Sequence, residues 1–100
     1  MDKCLQCGAD CGIDSRVASI SGSIMGDEST DTYILCSKCG AYTVEVCHEP
    51  FTGDEVISFR GPISKDDGDA AVALIRQCSR PWDKKCRCSA HVAYFRGGLD

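Results

Sequence analysis

Between Arg16 and Met25 the chain alternates in character. Ala18, Ile20, Gly22 and Ile24 fall on one face, while Ser19, Ser21 and Ser23 fall on the other. That period of two predicts a β-strand. The polar run over residues 26–31 reads as a turn, and residues 32–35 as a second strand leading into Cys36. Residues 41–48 alternate again, with Tyr42, Val44, Val46 and His48 on one side and Thr43, Glu45 and Cys47 on the other. After a turn over residues 50–54, residues 55–60 form a short fourth strand, closed by Gly61-Pro62. Residues 9–15, with Asp10, Gly12 and Asp14, are turn-like.

The period then lengthens. Ala71, Leu74, Ile75 and Cys78 follow the i, i+3, i+4, i+7 spacing of a helix face. Ser64 is a good N-cap, with Asp67 standing where a capping box has Glu. Asp66, Asp67 and Asp69 suit the positive end of the helix dipole. Arg76 and Arg80 fall near the other end, and Pro81 prevents continuation. The spacing thus predicts a helix over residues 65–78, a loop over 82–85, and a short last helix over about 89–95, stopped by Gly97-Gly98. The expected fold class is α+β, an antiparallel sheet followed by two short helices in one domain. Residues 4–62 form its β part and residues 63–97 its helical part.

Length and cysteine content change the picture. A chain of 100 residues has a thin core, and small domains often need disulfides or a metal as a staple. Nine cysteines supply the material. A secreted disulfide scaffold is one reading of such a composition. Three features argue instead for metal in a reducing, cytoplasmic compartment: the polar start after Met1, the odd count, and two close Cys-x-x-Cys pairs. No apolar run approaches the ~18 residues of a membrane span. The net charge of −4 argues against nucleic acid as a partner steered by the overall field.

The two pairs are Cys4-Leu5-Gln6-Cys7-Gly8 and Cys36-Ser37-Lys38-Cys39-Gly40. Two cysteines separated by two residues reach one ion from a tight turn, and zinc prefers four ligands with thiolate sulfur at about 2.3 Å. A glycine after the second cysteine tolerates positive φ and lets backbone amides point at the sulfurs. Over roughly residues 4–48 this pattern resembles the zinc-ribbon class, in which two such knuckles hold one zinc over a small antiparallel sheet. The same knuckles resemble those of rubredoxin, which hold iron and carry one electron. The resemblance implies Cys4, Cys7, Cys36 and Cys39 as ligands of a first site, with Gly8 and Gly40 as knuckle glycines. It also implies a structural role or, in the rubredoxin case, electron transfer. The hairpin tip carries Asp27, Glu28 and Asp31, where nucleic-acid-binding ribbons carry basic and aromatic residues.

A second donor set gathers near the C-terminus. Cys78, Cys86, Cys88 and His91 would complete a Cys3His site, with Cys47 competing for the place of His91 or Cys78. Two zinc ions are therefore expected, the second pinning the helices to the ribbon. Cys11 is left over as a free thiol.

Signals for catalysis are few. His48-Glu49 is a lone acid–base pair. Neither a phosphate-binding glycine loop nor a dinucleotide fingerprint is present in the sequence. No enzymatic activity is expected. A basic, aromatic stretch of Arg80, Trp82, Lys84, Lys85 and Arg87 offers a docking surface for a protein partner, with Arg60 and Arg96 as possible extensions. Alternatively, Trp82 packs into the core and the lysines merely solvate the loop. The leading expectation is a protein-interaction or accessory module with structural zinc. An iron electron carrier and a nucleic-acid-binding ribbon are the alternatives.

Overall fold

A computed structural model describes residues 2–99. Two short strands, β1 (Asp2–Lys3) and β2 (Asp10–Cys11), pair antiparallel around the first cysteine turn. A single 3₁₀ turn, Ile13–Ser15, leads into the main sheet. That sheet holds β3 (Arg16–Ile24), β4 (Asp27–Leu35), β5 (Tyr42–Glu49) and β6 (Val56–Ile63), antiparallel and in sequence order. Two helices follow, α1 (Lys65–Arg76) and α2 (Ser89–Tyr94). The architecture is the expected mixture of an antiparallel sheet and two helices.

Two strands run further than their composition predicts. The turn expected over residues 26–31 shrinks to Met25-Gly26, both at positive φ (52° and 86°). The polar residues after it join β4, where Asp27 pairs with Ile24 and Glu28 with Ser23. β4 is an inner strand, so backbone pairing on both sides outweighs the weak strand propensity of Asp and Ser. β6 likewise continues through Gly61-Pro62 to Ile63. As an edge strand it can carry a residue without an N–H, and its pairing with β5 shifts register there.

The core lies between one sheet face and the helices. Register aligns Ile20 with Asp31 and Tyr33 with Val44, so Ile20, Tyr33, Val44 and Tyr42 share that face. They cluster with Val72 and Ile75 of α1. Burying a side chain such as Ile20 or Val44 completely stabilises by about 1.5–3 kcal/mol. Ser64 caps α1 as expected, its hydroxyl accepting from the Asp67 amide at 3.2 Å. The buried stripe of α1 differs from the predicted one. Gly68, Val72 and Ile75 are buried, Ala71 and Leu74 only partly, and Cys78 lies beyond the helix end.

Gly68 is there because α1 crosses directly over the Tyr42 ring. A Cβ added at this position would run into that ring. Tyr42 cannot easily yield, since its hydroxyl donates to Asp69 of the same helix at 2.6 Å. Alanine gains about 1 kcal/mol of helix propensity over glycine, but overpacking a filled site costs about 1–3 kcal/mol. Gly68→Ala is therefore expected to lower the denaturant midpoint, with a net loss of up to about 2 kcal/mol. A raised midpoint would show that α1 stands off the sheet.

Candidate metal centres

The two Cys-x-x-Cys turns have the same backbone construction. In the first, the Cys4 amide donates to the Ala9 carbonyl at 2.9 Å and the Gly8 amide to the Cys4 carbonyl at 2.9 Å. In the second, Cys36 bonds Ala41 at 3.0 Å and Gly40 bonds Cys36 at 2.9 Å. Gly8 and Gly40 take φ of 75° and 77°, the left-handed conformation that closes each turn. The β1–β2 ladder carries the first knuckle, and the β4–β5 connection carries the second. The Leu5 amide donates to the buried Thr43 hydroxyl at 3.1 Å, fastening the first knuckle to β5.

This symmetry brings four sulfurs together in crossed pairs. Cys4 Sγ lies 3.5 Å from Cys39 Sγ, and Cys7 Sγ lies 3.6 Å from Cys36 Sγ. All four sulfurs are within 4.8 Å of one another. Thiolates held at about 2.3 Å from one tetrahedral ion sit about 3.8 Å apart, so the spacing fits one tetrahedral metal ion. Cys4 and Cys36 are buried, whereas Cys7 and Cys39 reach the surface.

The electrostatics of Cys4, Cys36 and Cys39 also suit a cation. The amides of Cys39 and Lys38 lower Cys36 from 9.0 to about 6. The Cys7 amide, outweighing burial, lowers Cys4. On Cys39 the Ala41 amide pulls down, but burial and the bonds to Cys4, Cys36 and Cys7 push it up to about 12. Amides thus favour the thiolates of Cys4 and Cys36, while Cys39 beside them is held protonated, a pattern that an added positive charge would relieve.

The second set is assembled from a loop and the start of a helix. Cys78 Sγ lies 3.7 Å from Cys86 Sγ and 3.2 Å from His91 Nδ1, and Cys88 completes a group whose donor atoms lie within 4.8 Å. Cys88 is the N-cap of α2, its sulfur accepting from the His91 amide at 3.4 Å. The Arg80 amide points at Cys78 Sγ in the same way, at 3.4 Å.

His91 is completely buried, and its other ring nitrogen is committed. Nε2 lies 2.6 Å from the Ser21 carbonyl. A carbonyl only accepts, so Nε2 carries the proton, and in the neutral ring Nδ1 turns its lone pair toward the three sulfurs. Fixing a ligand histidine through a backbone carbonyl is the usual second contact at a metal. The Cys3His donor set fits zinc.

The structure brings all eight expected ligands into these two groups. Cys47 is not brought to the second group; it lies on β5, grouped with Glu49 and with Glu55, which precedes β6. Cys11, expected as a spare thiol, is 5 % exposed and packs against Cys4, Ile34 and Cys36. Burial first, and then Cys36 beside it, pushes its thiol up, so it remains protonated. His48 is engaged with Asp27 at 3.2 Å. Trp82 is 68 % exposed and stays out of the core. The basic stretch around it is partly neutralised, since Lys84 pairs with Glu28 and Arg80 with Asp83. Arg60 and Arg96 do not extend it; they line a different cleft.

No family model, curated protein or solved structure matches the chain.

Two cysteine substitutions separate ligand from neighbour. Cys39→Ser should remove the ion of the first site and loosen the N-terminal turn, because metal binding supplies roughly 10–16 kcal/mol of apparent folding free energy in comparable peptides. Cys11→Ser should keep full metal content while costing about 1–3 kcal/mol for a hydroxyl placed among sulfurs and Ile34. Metal analysis beside thermal melting distinguishes them, and loss of metal from Cys11→Ser would reassign the ligands.

Proposed function

We propose that this chain is a zinc protein with two structural ions, acting as an accessory module that docks on another protein through the loop between Cys78 and Cys86. The observation that carries the zinc reading is the pair of four-donor sets at tetrahedral spacing, the second with its histidine tautomer already set by Ser21. Four ligands fill the coordination shell of zinc and leave no position for a reacting water, which supports a structural role over a catalytic one. Bound zinc would leave the first site with a net charge of about −2, making an acidic chain more acidic.

Support for docking comes from Trp82. A large exposed aromatic on a loop clamped at both ends by ligand residues is an interface anchor that loses little entropy on binding. With Arg80 and Lys84 it borders a cleft of about 440 Å³ reaching Thr30 and Glu49. The ion pairs of Arg80 and Lys84 leave little free charge for a phosphate backbone, so a protein is favoured over nucleic acid.

One observation favours a second reading. Cys7 and Cys39 present two sulfurs of the first site at the surface, as electron transfer through bound iron requires.

Metal content by elemental analysis, on protein purified without added metal, decides between these readings. Two zinc per chain and no visible colour support the structural reading. Iron with thiolate charge-transfer bands supports the second. A folded protein without metal would sink both. Trp82→Ala should change stability by no more than about 0.5 kcal/mol, as an exposed anchor should; a large loss would return Trp82 to a packing role.

A further inference from the structure

A cleft of about 550 Å³ opens where α1, α2 and the sheet meet. Small-molecule sites have volumes of this order. Its floor is a polar network. The Tyr94 hydroxyl donates to Asp31 at 2.5 Å, the Tyr33 and Tyr94 hydroxyls lie 2.8 Å apart, and Arg60 reaches the same carboxylate at 3.3 Å. Asp31 is only 14 % exposed, and Arg60 balances its charge. The walls are apolar: Leu74 and alanines of α1 face Ala93 and Phe95. Arg96 completes the lining, and no ion pair engages its guanidinium among the described residues. The cleft thus combines apolar walls with a positive charge that has no ion pair among the described residues, on a chain of net charge −4.

Arg96 also occupies an unusual backbone position. It follows α2 with φ of 55°, and Gly97 follows with φ of 75°. Glycine is the favoured residue where a helix ends in the left-handed region, because any side chain there is strained. A long cation stands here where glycine would be more stable. Strain of this kind concentrates at ligand sites.

We propose that this cleft binds a small organic carboxylate, its charge held by Arg96 and its apolar body against Leu74 and Phe95. A cation with no ion pair among the described residues matches a monoanion, and the apolar walls match a ligand with a hydrophobic body rather than a bare ion. The planar guanidinium can take both carboxylate oxygens at once. The proposal rests on the fold and is independent of which metal the cysteine sites take.

The test is a titration of the metal-containing protein, followed by amide NMR shifts, with benzoate, benzamide and inorganic phosphate as probes. Benzoate should produce saturable shifts at Ala71, Leu74 and Phe95; benzamide, which lacks the charge, and phosphate, which lacks the apolar body, should not. Arg96→Gly should melt at a higher temperature than the parent chain, yet bind benzoate about tenfold or more weakly, the loss expected for a charge-assisted hydrogen bond. A residue that merely caps the helix would show the first effect without the second. Absence of benzoate shifts, equal shifts from benzamide or phosphate, or undiminished binding by Arg96→Gly would overturn the assignment.

Discussion

One backbone position joins the C-terminal segment to the sheet. Ser21 sits on β3, an edge strand whose outward groups would otherwise face solvent. Its amide donates to the Pro81 carbonyl at 2.8 Å, and its carbonyl accepts from His91 Nε2 at 2.6 Å. An unpaired edge invites association with other chains, and here the C-terminal segment covers it at this point. The same bond that closes the edge sets the His91 tautomer, so the packing of the sheet and the readiness of the second donor set are one arrangement. Gly22, next in line, admits Phe95 and Leu99 against the strand, where a Cβ would collide with both.

The two donor sets reach similar spacing by different routes. The first is built from two copies of one local turn, each with its own amides directed at sulfur, and needs only that the two turns meet. The second has no internal symmetry. Cys78 follows α1, Cys86 lies in a loop, Cys88 caps α2, and His91 projects from the first turn of that helix. None of these positions is set by its immediate neighbours alone; they converge because both helices are already placed on the sheet. This explains why the first set uses four identical ligands and the second needs a histidine held from the far side by the sheet.

That difference also governs what the sequence reveals. The knuckles were legible because Cys-x-x-Cys-Gly is local chemistry, with the glycine conformation part of the motif. The strand pattern was legible at Ala18–Ile24 and Tyr42–His48, where alternation reflects burial on one face. It was not legible at residues 27–31, whose place in an inner strand comes from pairing on both sides rather than from composition. The stripe of α1 was legible at Ile75 and Cys78 but missed Val72 and Gly68; Gly68 does not register as apolar, though it meets the Tyr42 ring. Ser21 carried no signal at all: its contribution is backbone, and any residue has the same N–H and C=O. Cys11 was read as spare from its spacing, and only the fold shows it buried against Cys36.

The consequences of losing an ion would therefore differ between the sites. The β1–β2 turn packs on the main sheet through Cys4, Cys11, Ile34 and the Leu5–Thr43 bond, so emptying the first site would loosen this corner while leaving the β3–β6 ladder paired. Emptying the second would leave Nδ1 of His91 facing Cys78 Sγ without an ion between the donors. The bonds that hold residues 81 and 91 to Ser21 would then rest on a loop and a short helix anchored to the sheet by Tyr94 and Phe95. α2 spans six residues, well below the length at which a helix is stable alone, and only Ala90 and His91 of it are buried. On this argument the second donor set, the less recognisable of the two in the sequence, is the one tied directly to the edge of the sheet through Ser21.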